Sequence, residues 1–234
     1  MQPRVVAPPS VELPERAFVD AAPAAGTGAR IWLVRHAEVH VDWQQRAYGN
    51  TDVPLSPEGE AATRAMGAAF RGRALAAVWS SDLARAHAMG RAIADGAGAE
   101  LRLEPRLREV WRGAWQGLPA AEFRARWTAD AANFLADPWR WKGHGGESDA
   151  DVCARVWPVL ESARDAGVRG SGAGCELALA AHYNVIRVLV TRALGLGARA
   201  SFEFLNAPAH ASLLVDAPGG WQLALRDVAR PDAV

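Results

Sequence analysis

Short apolar runs recur along this chain, and each gives way to a segment with helical patterning. "RIWLVR" (30–35), "LAAVWSS" (75–81) and "CELALAA" (175–181) are apolar at successive positions, the pattern of strands buried on both faces. "AELRLEP" reads as a weaker strand. Between these runs, Ser56-Pro57 pairs an N-cap with proline at the first helical position, predicting a helix to about Phe70 that stops near Gly72. Further helices are predicted from Asp82 to Ala94, stopping near Gly96, and from about Pro119 to Leu135. Ser148 can cap "DADVCARVWPVLESARDAG", inside which Pro158 predicts a kink or a break. "NVIRVLVTRAL" is an apolar helix ending at Gly195, and "ASLLVDAPGGWQLALRDV" is a hairpin turning at Pro218-Gly219-Gly220. Strands alternating with helices imply a three-layer α/β/α sandwich with a mainly parallel central sheet, and the hairpin adds at least one antiparallel strand.

The 234 residues, half of them hydrophobic, suit a single domain over 30–234 with a sizeable core. Residues 1–29 are rich in proline and alanine and lack a compact apolar signal segment, so they read as a tail. Basic and acidic residues each total 26, so no net field draws nucleic acid or an anionic membrane to the protein. No apolar run reaches the roughly 18 residues of a membrane-spanning helix. Cys153 and Cys175 fit no metal-ligand spacing, and a reducing cytoplasm is the simplest home for them. Neither a metal nor a cofactor is called for, and a homodimer is left open.

Open α/β sheets bind ligands beyond the carboxyl ends of their strands. Those ends carry Arg35-His36, Ser80-Ser81 and His182. An Arg-His pair is weak evidence alone, since composition predicts roughly 0.6 of them by chance; its place at a strand tip strengthens it. His36 and His40, four apart, would share a helix face and could hold zinc. Their segment reads as a strand end and a loop, however, and Glu38 stands one place too late for the metalloprotease pattern, so metal binding is disfavoured.

The ordered set "VRHAEV", "YGNTDVPLSPEG", "SSDLARAHA", "LREVWRGAWQG", "GHGGES" and "AHYNVIR" resembles the histidine phosphatase superfamily, the phosphoglycerate-mutase-like proteins, from about residue 30 to 228. The resemblance implies that His36 is a nucleophile forming a phosphohistidine, with its other ring nitrogen held as a donor. Arg35 and Arg85 would grip the phosphoryl oxygens, and His182 would donate to them, ideally as an imidazolium. Glu109 would protonate the leaving alkoxide, helped by desolvation from Trp111 and Trp115. Tyr48, Asn50, His144 and Tyr183 are candidates for substrate contact. Glu104 and Glu122 are neighbouring alternatives to Glu109, whose place before Gly-x-Trp-x-Gly favours it. His40, His87 and His210 read as surface or packing residues.

The chain departs from the family pattern at Ala37, at Glu38-Val39, and at Asp42, where many relatives place a phosphate-facing Asn. Tyr183-Asn184 adds bulk where many have Gly. The implied function is metal-independent hydrolysis of a small phosphate monoester. The rivals are a cofactor-dependent phosphoglycerate mutase and a domain that binds a phosphorylated ligand without turnover. Mutases follow the Glu with a Glu-Arg-x-Tyr-Gly type of motif, absent here. The tryptophans at 111, 115, 127, 139 and 141 read first as packing residues, or alternatively as an aromatic wall beside the pocket.

Overall fold

The computed structural model describes residues 28–169, 176–197, 200–204 and 206–233. The proposed tail therefore lies almost wholly outside the described residues, as does Cys175. The strands are β1 (Arg30–Arg35), β2 (Leu75–Ser80), β3 (Leu101–Leu103), β4 (Glu176–Ala181), β5 (Ala211–Ala217) and β6 (Gly220–Val228). They form one sheet in the order β3-β2-β4-β1-β5-β6. β1 to β4 are mutually parallel, whereas β5 runs antiparallel to β1 and β6 antiparallel to β5. The helices are α1 (Val41–Gln44), α2 (Pro57–Ala69), α3 (Ala84–Ala97), α4 (Ala120–Ala136), α5 (Asp149–Arg169) and α6 (Tyr183–Ala193).

The continuous apolar strands explain the two helical layers. Side chains alternate across a strand. Ile31, Leu33, Leu177 and Leu179 enter a core with Val152, Val156 and Leu160 of α5 and Val185 and Leu189 of α6. Trp32, Val34, Ala178 and Ala180 enter the opposite core with Met66 of α2 and Met89 and Ile93 of α3. A strand polar on one face could not have served both layers.

Local signals acted mostly as expected. Ser56 caps α2 by accepting from Gly59 N at 2.9 Å. Ser148 accepts from Asp151 N while Asp151 accepts from Ser148 N at 2.9 Å, a reciprocal cap on α5. One expectation needs correcting. Pro158 does not break α5, which continues to Arg169; burial of Val152, Val156, Val159 and Leu160 outweighs one missing backbone hydrogen bond. α3 runs to Ala97, one residue past Gly96, and is capped by Gly98 in the left-handed region (φ 68°). Gly96 lets α3 approach α2, since a Cβ there would lie 2.0 Å from the Gly67 carbonyl oxygen. α1, inside the loop after β1, was not anticipated.

Gly96→Ala must therefore push α2 and α3 apart. Its expected cost is about 1–3 kcal/mol, read as a lowered urea midpoint with an unchanged m-value.

Candidate active site

Register builds the centre of the site. β1 and β4 pair in parallel with Arg35 opposite Ala181, and His36 N donates to Ala181 O at 3.1 Å. The next residues, His36 and His182, leave the sheet side by side, with ring centroids 5.1 Å apart. β2 flanks β4 on its other side, and Ser81 N donates to Ala180 O at 3.0 Å. All three strand tips named from the sequence thus meet at one edge. Arg85, one residue into α3, is fully buried beside them.

A hydrogen bond settles the proton position on His36. His36 Nδ1 lies 2.7 Å from Ala37 O. A carbonyl only accepts, so Nδ1 carries the proton and Nε2 presents a lone pair. His182 Nε2 lies 2.9 Å from Ser81 Oγ. That hydroxyl also accepts from Leu83 N at 3.3 Å, and donating its own proton to His182 Nε2 would put the ring proton on Nδ1, an atom buried without a partner among the described residues. Burial first, then Arg85 and Arg35, holds His36 neutral, well below its ordinary pKa. Burial first, then Arg85, His36 and Arg35, does the same to His182. A neutral imidazole still carries one N–H with which to donate to an anion.

The arginines are fixed from behind. Arg85 Nη1 and Nη2 donate to Thr51 O and Gly49 O, each at 2.8 Å. Arg35 Nη1 donates to Asn206 O at 2.6 Å. Arg85 lies over the Tyr48 ring at 5.1 Å and Arg35 over the Tyr183 ring at 5.2 Å. The Nε atoms of both arginines are buried without a partner. With His182 Nδ1, three N–H groups beside His36 have no acceptor among the described residues. Leaving such donors unpaired costs about 1–3 kcal/mol each, a cost that an anion held among them removes.

Glu109 is buried and joined to the same edge. Its Oε1 accepts from Val110 N at 2.8 Å and its Oε2 from Asn184 N at 3.3 Å, at the start of α6. Neither rival takes that place: Glu104 is bound by Arg106 at 2.7 Å and Glu122 by Arg126 at 2.7 Å. A cavity of about 300 Å³ lies over Glu109, lined also by Asn50, Trp111, Glu147 and Arg155. A larger hollow of about 730 Å³ lies between α2 and α3 and meets the site only at Arg85.

The remaining candidates divide. Tyr48 and Tyr183 back the two arginines, and Asn50 borders the cavity with its Oδ1 taken by Gln116 Nε2 at 2.9 Å. His144 is packed between Trp115 and Trp141, with Nδ1 accepting from Gly146 N at 2.9 Å. Trp115 belongs to that aromatic nest with Phe123, Trp127 and Trp141. Trp111 is 48% exposed, so it faces the cavity opening rather than enclosing Glu109. The side chain of Asp42 is 78% exposed and 3.3 Å from His40, and this outward position removes the expected repulsion of phosphate.

Several partners were missed by sequence reading. Ser81 was named as a strand end, and its hydroxyl was a readable signal. Arg112 and Gln116 lay within a quoted motif without an assigned role. The Asn206 carbonyl carries no signal, because any residue has one.

The neutral rings couple stability to pH. Unfolded histidine takes a proton near pH 6.5, whereas folded His36 and His182 do not. Below that pH the unfolded state binds more protons, so stability falls with pH by up to about 1 kcal/mol per histidine per pH unit. Asp82 and Asp151, whose pKa values are lowered, act the same way only near and below pH 4. Urea unfolding between pH 7.5 and 5 is expected to show this loss, and H36N/H182N to reduce it to the part left by His144, whose pKa burial lowers to about 4.

Residues 31–228 match the histidine phosphatase superfamily, branch 1. A glucosyl-3-phosphoglycerate phosphatase of Mycolicibacterium vanbaalenii is 32% identical over 170 residues, 71% of this chain and 75% of that protein. A probable phosphoglycerate mutase of Photorhabdus laumondii is 29% identical over 180 residues, 73% of this chain and 77% of that protein. The native structure of a mycobacterial glucosyl-3-phosphoglycerate phosphatase aligns with a TM-score of 0.75 and 26% identity, over 85% of this chain and 98% of that one. The protein is thus a phosphatase of the histidine phosphatase type. With strands, site and sequence in agreement, the chain belongs to the histidine phosphatase superfamily.

Proposed function

We propose that the protein hydrolyses its phosphate ester in two steps through a phosphohistidine on His36. The observation that carries this reading is the trio of buried, partnerless N–H groups around the free Nε2 of that ring. In the first step Nε2 attacks phosphorus and the bond from phosphorus to the ester oxygen breaks. Arg35, Arg85 and His182 donate to the non-bridging oxygens, where charge must be held. Glu109, as the acid, gives its proton to the departing alkoxide. In the second step Glu109, now a carboxylate, takes a proton from water. The water oxygen bonds to phosphorus, the N–P bond breaks, and inorganic phosphate leaves.

Ser81 acts through His182. Accepting from Leu83 N and donating to Nε2, it keeps the imidazole proton on Nδ1, facing the anion. The relatives named glucosyl-3-phosphoglycerate phosphatases make that ester the first to assay. Release of inorganic phosphate separates hydrolysis from the mutase reaction, in which the phosphoryl group returns to bound product.

Two tests follow. Brief incubation with labelled ester and an alkaline quench is expected to trap acid-labile label on the wild type and none on His36→Asn, with turnover lowered at least about 1,000-fold. Label retained on that variant would overturn the assignment. Ser81→Ala is expected to lower kcat about 10- to 100-fold, the worth of one buried donor, and to shift the His182 ¹⁵N resonances toward mixed tautomers. Ser81→Thr is expected to restore both.

A further inference from the structure

One tryptophan has neither a packing partner nor a part in the two-step scheme. Trp115, Trp127 and Trp141 lock edge to face with one another. Trp111 is nearly half exposed, and among the described residues no ring or guanidinium lies over it. A lone exposed hydrophobe is ordinary on a protein surface. Trp111 differs because it lines the cavity of about 300 Å³ that Glu109 also lines. The group attached to the leaving oxygen must enter the space in front of the acid, so it enters beside this indole.

The indole is mounted on a rigid frame. Trp111 N donates to Glu147 Oε2 at 2.9 Å, and Glu147 N donates to Trp111 O at 2.8 Å. Arg155 holds that carboxylate at 2.7 and 3.0 Å and also donates to Glu109 O at 3.3 Å. Acid and indole are thus anchored through one guanidinium. Close approach of the two loops depends on Gly146, where a Cβ would lie 2.1 Å from Trp111 O.

The rest of the lining is already engaged. Arg155 is paired with Glu147, and Arg108 with Asp82 at 2.7 and 2.5 Å. Asn50 Oδ1 accepts from Gln116 Nε2 at 2.9 Å. The cavity therefore presents no unmatched cation to a second anionic group. What it leaves unused is the π-face of Trp111.

We propose that Trp111 determines specificity by stacking on an uncharged aromatic ring carried by the leaving alcohol. Offset or edge-to-face pairing with the indole adds attraction beyond the area buried, and the fixed backbone lowers the ordering cost. The inference rests on the phosphoryl reading of the His36 pocket and assigns the leaving-group side of it.

Benzyl phosphate and cyclohexylmethyl phosphate have the same carbon skeleton and differ in aromaticity; ethyl phosphate carries no ring. Each is tested as a competitor of p-nitrophenyl phosphate hydrolysis, giving inhibition constants whether or not it is itself turned over. The wild type is expected to prefer benzyl over cyclohexylmethyl phosphate by about 2- to 10-fold, the worth of an aromatic pair. Trp111→Ala is expected to bring that ratio to about one with ethyl phosphate unchanged, and Trp111→Phe to keep most of it. A wild-type ratio near one, or a ratio that Trp111→Ala leaves intact, overturns the proposal. So does an equal weakening of all three competitors, the result of a merely structural wall. A wild type that neither hydrolyses p-nitrophenyl phosphate nor becomes labelled on His36 refutes the phosphoryl reading itself, and this inference with it.

Discussion

The parallel pairing of β1 with β4 is the constraint from which the site follows. Arg35 stands opposite Ala181, so the first residue past each strand is a histidine, and the two rings are neighbours. A slip of one residue would turn every side chain on β1 to the other face. It would also exchange the Ile31/Leu33 and Trp32/Val34 sets between two cores built for different neighbours. The register of the catalytic edge is thus enforced by burial along the strands, far from the chemistry.

That edge is electrostatically expensive, and the fold spends structure on holding it. Two arginines and two histidines are buried together, and the result is two neutral rings rather than four charges. Backbone carbonyls absorb part of each guanidinium: Gly49 and Thr51 for Arg85, Asn206 for Arg35. Gly49 is required where it stands, since φ is 46° and a Cβ would lie 2.5 Å from Gln116 Oε1. Around β1 the loop before β5 closes in: Arg35 N donates to His210 O at 3.0 Å and Ala209 N to His36 O at 3.2 Å. Ala209 takes a left-handed conformation to do so (φ 54°). Among the described residues, Arg35 Nε, Arg85 Nε and His182 Nδ1 remain buried without a partner at this edge, as do Arg187 Nε and the Asn206 amide.

The segment between β3 and α5 has a different job. Its tryptophans are largely a packing device, with Trp115, Trp127 and Trp141 meeting edge to face around His144. Trp111 alone of this group is strongly exposed, at the cavity over Glu109. Gln116 ties this segment to the loop after β1 through Tyr48, Asn50 and Thr51. The segment that carries Glu109 and the loop that holds Arg85 are thereby joined in one hydrogen-bonded frame.

The linear chain determined the elements, the layers and the main cluster. Apolar runs without alternation demand burial on both faces, and polar residues at their tips mark the ligand edge. Arg35, His36 and His182 were legible for that reason, whereas Arg85 was named from the resemblance carried by "SSDLARAHA" and Glu109 from its place before Gly-x-Trp-x-Gly. A local signal misled where packing outweighed it: Pro158 sits within a continuous helix because one face of α5 is buried. Gly96, one residue before the end of α3, also serves contact with α2. Tertiary structure alone decided the proton position on His36, the burial that lowers the pKa of His182 and the outward turn of Asp42. Each depends on which atoms converge from distant segments: Ser81 on His182, the Asn206 carbonyl on Arg35, His40 beside Asp42. Residue types record what a side chain can donate or accept, but its charge and partner are fixed by the solvent it loses and the neighbours it gains on folding.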